Sequence, residues 1–340
     1  MSKVHVNQYM DRYLPLIEKE LRDALADRAG LPGYYGMMRY HMGWLDVRLE
    51  PVEAPQGKRL RPVLCLLACE AVGGSLDHAL PAAAAIELVH NFSLVHDDIE
   101  DQSLTRRHRQ TVWSLWGAAQ GINSGDGMYT VAYLKLGELS DRGVPPVRAL
   151  HAQQVLGETC LTLTEGQYLD MSFEGQDRVS LETYLRMISC KSAALIACAA
   201  YLGAYLGGGD ERVAGLYRDF GENLGLAFQV IDDLLGIWGA EDVTGKSTLT
   251  DILSRKKTLP VLYGMDDAEL RSIYAQEALD QDDVQRVVRL LEACGARDYA
   301  EGVAREYSER AVRCLEETGI QSPAHEAIAA LTEQLLRRTS

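Results

Sequence analysis

Carboxylates recur in this chain at positions where a helix would aim several of them at one point. In His90-Asn91-Phe92-Ser93-Leu94-Val95-His96-Asp97-Asp98-Ile99-Glu100-Asp101, Asp97 and Asp101 are four apart and share a helical face, with His90 two turns earlier on it. Asp98 and Glu100 add charge beside them. Like charges at this spacing destabilise a helix unless cations compensate. Oxygen ligands of this density suit a hard ion such as Mg2+, which keeps part of its water and shares itself with substrate phosphates. A solvated acidic face could also carry such a run. The apolar residues just before the acids (Phe92, Leu94, Val95) favour a buried helix opening on a polar cavity. A second pair, Asp232-Asp233, ends the apolar stretch that begins at Phe228, with Gln229 three before Asp232. Asp170 sits in a third helix-compatible segment. Acids projecting inward from facing helices can hold metal, and the lack of a Glu-x-x-His pair argues against a di-iron site.

Cations gather near these acids. They lie at Gly57-Lys58-Arg59-Leu60-Arg61-Pro62, at Arg106-Arg107-His108-Arg109, at Lys191-Ser192, and at Gly245-Lys246-Ser247 followed by Asp251 and Arg255-Lys256-Lys257-Thr258. Any one of them could be an exposed basic turn. Four beside acid clusters suggest a diphosphate held between metal and cations, because Arg grips phosphate bidentately and Lys acts as a point charge. The stretch from Gly239 to Ser247 imitates a phosphate-binding loop. Its glycines are spaced one residue too far apart and no strand precedes it. No GxSxG is present.

The elements that must position these groups read as helices. Period-two alternation is nearly absent, whereas Val284, Val287, Val288 and Leu291 fall at helical spacing and Gly295 closes that segment. Thr318-Gly319 predicts a helix stop, and Ser322-Pro323 an N-cap with Pro at the first helical position. Residues 31–56 predict a loop or short helices. The expected fold is all-α, one large domain over 1–340 with its helices around a common centre. Residues 192–209 form an uncharged run of membrane-like length, but Ala and Gly dominate it, which predicts a buried helix in a large core. No signal peptide is evident, and seven Cys without CxxC pairs predict reduced thiols, so a cytoplasmic protein without a membrane span is expected. The net charge of −15 argues against a nucleic-acid partner.

The order of these motifs resembles the trans-isoprenyl diphosphate synthases, the polyprenyl synthetase family. The resemblance runs from Gly57 to Pro260. It covers the Gly57–Pro62 motif, a first DDxxD at Asp97–Asp101, Arg106-Arg107, Gln167-x-x-Asp170, Lys191-Ser192, Gln229-x-x-Asp232-Asp233, Gly245-Lys246, Asp251 and Lys256-Lys257-Thr258. It implies the isoprenoid synthase type of helical bundle. It further implies Mg2+-dependent condensation of isopentenyl diphosphate with an allylic diphosphate (dimethylallyl, geranyl or farnesyl). By position, Asp97, Asp101 and Asp232 would bind Mg2+, with Asp98, Asp233 and Asp170 supporting. Arg106, Lys191, Lys246 and Lys256 would hold the allylic diphosphate, with Gln229 and Ser192 nearby, Ser192 standing where Thr is usual. Lys58, Arg61, His90 and Arg107 would bind isopentenyl diphosphate. A homodimer is also implied.

One departure stands out: Gly236 replaces the third acid of the second motif. The residues before the first DDxxD set product length in the family. Phe92 with the small Ser93 resembles the geranylgeranyl-forming pattern, with farnesyl diphosphate next. A terpene cyclase on the same fold would have no use for Lys58, Arg61 and Arg107. A non-catalytic subunit of a heteromeric synthase would be expected to lack the first DDxxD.

Overall fold

The computed structural model describes residues 6–55, 57–173, 176, 178–239, 250–276 and 278–336, with the side chain of residue 250 excepted. Among them, regular structure is helical except for a two-residue hairpin and one isolated bridge, Leu45 with Pro51. The helices that matter here are α1 (Val6–Ala24), α2 (Pro32–His41), α3 (Leu60–Ala71), α4 (Leu76–Glu100), α5 (Val112–Trp116), α6 (Ala118–Gly137), α7 (Pro146–Phe173), α8 (Leu181–Ile188), α9 (Ala194–Leu206) and α10 (Glu211–Trp238). Of the segment 31–56, residues 32–41 thus form helix α2, and turns follow it among the described residues.

Two compact units are distinguishable. One is drawn from Met1–Glu158, Ala199–Ala214 and Gln321–Ile328, the other from Thr159–Cys198, Gly215–Ile320 and Ala329–Ser340. In the first, α4 packs most extensively on α6 and α3. Its Ala82–Ala85 run is buried together with Ile86, Leu88 and Val89, so α4 has no solvent stripe until it nears its acidic end. In the second unit, Tyr184, Met187, Ile188, Ala193, Val230, Ile231 and Leu234 form a core under the second acid pair.

Local signals read from the sequence reappear as geometry. Val284, Val287 and Leu291 are the buried face of the helix Gln281–Ala293, and Gly295 follows with φ of 76°, where a side chain would be strained. Ser322 accepts a hydrogen bond from the His325 N–H at 3.2 Å, and Pro323 opens the last helix. The apolar run beginning at Ser192 continues as α9, of which Leu195, Ala197 and Cys198 are buried. The stretch Leu181–Leu206 is long and apolar enough to cross a membrane by length and composition, but 67% of that window is buried inside the protein.

Candidate active site

Three helices deliver carboxylates, two of them with their last turns. Asp97 and Asp98 lie in the last turn of α4, and Asp101 caps it, its N–H bonded to the Asp97 carbonyl at 2.8 Å. Asp232 and Asp233 lie near the end of α10, and Asp170 near the end of α7; none of these ends carries a basic residue in its last turn. A helix C-terminus is the negative end of the macrodipole, so each exposed acid there costs roughly 0.3–1 kcal/mol. Asp101 and Asp232 are exposed and Asp97 is half-buried.

The second member of each pair is engaged by the protein. Asp98 is 1% exposed and accepts from Arg106 Nε at 2.8 Å. Burial lifts its carboxyl to about 6 against the pull of Arg106, and Asp97 and Asp101 push the same way as burial. Asp233 is 3% exposed and accepts from the Tyr184 hydroxyl, from the Leu259 N–H at 3.0 Å and from Gln229 Nε2 at 3.2 Å. Burial again lifts it to about 6, although those donors and Lys256 pull it down. Ser192 donates to Gln229 Oε1 at 2.7 Å, so Ser192, Gln229, Asp233 and Tyr184 form one chain of hydrogen bonds.

Lys191 is presented by a π-helical turn, Ser189–Ala193, between α8 and α9, and it meets Asp170 Oδ2 at 2.6 Å. Such turns interrupt a helix at a cost and often mark functional sites. Gly166 on α7 allows this turn to approach; a Cβ there would run into the Lys191 backbone. Around Lys256, lost solvation works against the charge, but the carboxylates of Asp251, Asp170, Asp233 and Asp232 outweigh it and hold the ammonium protonated. Asp251 also explains Gly236. Gly236 is one helical turn after Asp232, and a Cβ built on it would collide with the Asp251 carboxylate. A carboxylate therefore stands beside the place where the motif lacks one. Lys246 lies outside the described residues.

The first unit holds the other cations. The hairpin β1 (Thr105–Arg106) and β2 (Arg109–Gln110) pairs Arg106 with Arg109, and its two turn residues, Arg107 and His108, have φ of 52° and 61°. Left-handed backbone at non-glycine residues costs about 1 kcal/mol or more each. The turn sets Arg107 against Gly57, where a Cβ would come within 2.9 Å of the guanidinium. Arg61 Nη1 lies 3.3 Å from His90 Nε2. Burial drives the His90 imidazole well below its ordinary 6.5, and Arg61, Arg107, Arg106 and His41 push the same way. Lys58 is exposed. Arg59, two residues before Arg61, is buried and pairs with Glu18 and Glu87 at 2.8 Å each. Phe92 stands edge-on to Tyr129 at 5.1 Å and to His96 at 5.4 Å, and Tyr129 to Tyr133 at 5.1 Å. Ser93 Oγ donates to the His90 carbonyl at 2.9 Å.

Tyr184 and His41 were not apparent from the sequence as site residues, because an isolated Tyr or His carries no spacing signal; Arg59 was visible in its motif but without a role. Asp251 was visible as a motif residue but without a role. Among the described residues, no three carboxylate, imidazole or thiol groups converge closely enough to hold an ion unaided. That donor set still fits Mg2+, which leaves much of its coordination to water and phosphate oxygens.

Comparison with known proteins identifies the family. The polyprenyl synthetase family model matches residues 43–291. A (2E,6E)-farnesyl diphosphate synthase of Mycobacterium tuberculosis is 40% identical over 314 residues, covering 90% of this chain and 86% of its own. A geranylgeranyl diphosphate synthase of the same organism is 38% identical over 326 residues, covering 94% and 88%. The crystal structure of a polyprenyl synthetase from Streptomyces coelicolor superposes with a TM-score of 0.90 at 36% identity, covering 98% of this chain and 100% of that one. The acids at three helix ends and the cations beside them thus stand in an all-α enzyme, a prenyltransferase of isoprenoid biosynthesis, and the chain belongs to the polyprenyl synthetase family.

Proposed function

We propose that the protein condenses isopentenyl diphosphate with an allylic diphosphate (dimethylallyl, geranyl or farnesyl) in the presence of Mg2+. The product is a short all-trans prenyl diphosphate, with geranylgeranyl diphosphate favoured and farnesyl diphosphate next. The observation that carries this reading is that the chain holds two chemically different groups of cations, each suited to a phosphate. One combines carboxylates with Lys191 and Lys256; the other is a half-buried set of Arg61, Arg107 and His90. An enzyme acting on one diphosphate alone needs only the first.

Asp97, Asp101 and Asp232 are the residues that would hold Mg2+, while Asp98, Asp233 and Asp170 orient their neighbours through Arg106, Gln229 and Lys191. When bound, the metal supplies Lewis acidity to the leaving diphosphate. Arg106, Lys191, Lys246 and Lys256 take up the charge that develops as the allylic C–O bond breaks. Lys58, Arg61, His90 and Arg107 hold isopentenyl diphosphate so that its alkene meets the allylic cation, and the released diphosphate accepts the proton that is then lost. Apolar walls keep water from the cation. Phe92 with Tyr129 sets how long the product grows.

A homodimer is supported by α7. Val147, Leu150, Leu161 and Tyr168 are 74%, 67%, 62% and 72% exposed; Val147, Leu161 and Tyr168 are separated by multiples of seven along that helix, and Leu150 follows Val147 by three. A stripe of that kind on one helix asks for a partner helix. The test of the function is to supply Mg2+, isopentenyl diphosphate and each allylic primer and to weigh the products. Elongated diphosphates support the reading, and a hydrocarbon formed from one substrate alone overturns it.

A further inference from the structure

In the first unit Arg59, Arg61, Arg106 and Arg107 gather around His41 and His90. Glu18 and Glu87 answer Arg59, and Asp98 answers Arg106. Arg61 keeps its Nε buried without a hydrogen-bond partner, and so does His41 at Nε2. His41 lines a cavity with Tyr40, Asp98, Arg106 and Arg107. Leaving a buried polar atom unpaired costs about 1–3 kcal/mol. Two such atoms beside an arginine cluster are arranged for an anion that completes them.

We propose that His41 is a further ligand of the isopentenyl diphosphate head group, donating its Nε2–H to a phosphate oxygen beside Arg61 and Arg107. This rests on the condensation reading above. Without ligand, burial together with Arg107, Arg106 and Arg59 keeps the proton off the second nitrogen, and the Asn91 side chain opposes them only partly. Around it stand Arg59, Arg106, Arg107, His90 and Asp98, with Glu87 behind Asn91. A diphosphate reverses the sign of the local field, so His41 binds it as an imidazolium and takes up a proton on the way.

The experiment is calorimetry of isopentenyl diphosphate binding at pH 7, without primer or metal, in two buffers of different protonation enthalpy, alongside steady-state kinetics. Wild-type protein takes up a proton on binding. His41→Gln takes up roughly one proton fewer and raises the KM for isopentenyl diphosphate roughly tenfold or more, leaving kcat and the KM of the allylic substrate unchanged. His90→Gln keeps the His41 uptake, which secures the assignment if His41→Gln does not fold. No proton uptake by the wild type, or wild-type affinity and uptake in His41→Gln, overturns the proposal. Uptake by a wild-type protein that makes no elongated product upholds the His41 contact and overturns condensation.

Discussion

Asp98 and Asp233 occupy matching positions in their motifs and meet matching surroundings. Each is buried and answered by protein donors, Arg106 for one and Tyr184 with the Leu259 N–H for the other. In the proposed reaction Asp97 and Asp232 are the ones that would hold the ion. Asp97→Ala should lower kcat by about a thousandfold while far-ultraviolet circular dichroism and the melting curve stay near wild type. Gly236→Asp is the sharper test of the second motif. Restoring the acid forces it into the Asp251 carboxylate, so we expect a loss of about 1–3 kcal/mol in stability and lower turnover. Tighter Mg2+ binding with undiminished stability would show that Asp251 does not stand in for the missing side chain. Phe92→Ala should lengthen the main product by at least one isoprene unit, read by mass spectrometry. The imidazoles of His41 and His90 stay neutral in the fold, whereas unfolded histidine gains a proton below its ordinary 6.5. Each therefore withdraws stability as the pH falls through about 6.5, and His90→Gln should flatten that part of the stability profile in chemical denaturation.

In the proposed reaction, helix ends and interruptions carry much of the chemistry. Acids on the last turns of α4 and α7 work against the macrodipole, and a cation nearby can answer them. The sequence made this legible, because Asp97 and Asp101 at a spacing of four can be read without coordinates, as can the apolar run ahead of them. The hairpin that carries Arg106 and Arg107 was not legible. Two-residue strands have no period to detect, and Arg107-His108 lacks the Asn-Gly chemistry that announces such a turn. The π turn under Lys191 was equally silent, since one extra residue in a helical turn leaves composition unchanged. Gly166 is its visible trace. Gly166→Ala should push the turn away, lowering kcat and costing about 1–3 kcal/mol, measured by kinetics and thermal melting. An unchanged kcat would detach the turn from the reaction.

At the scale of the molecule, helical periodicity and the near absence of alternation were enough for an all-α fold. They did not reveal that contacts gather into two units, because no Gly- or Pro-rich linker marks the divisions. The exposed α7 stripe was hidden as well, because nothing in the sequence distinguishes Val147, Leu150 and Leu161 from buried apolar residues of a helix. Leu161→Arg should convert the dimer to monomer in sedimentation velocity, and a wild-type protein that is already monomeric would contradict the proposed interface. The most direct measurement is turnover of isopentenyl diphosphate with geranyl and farnesyl diphosphates, products weighed, with Mg2+ present and after chelation, for wild type and Asp97→Ala. The account predicts prenyl diphosphates longer than the primer, abolished by chelation and reduced about a thousandfold in the variant. Condensation that persists without divalent metal, or that survives loss of Asp97 at full rate, would contradict it.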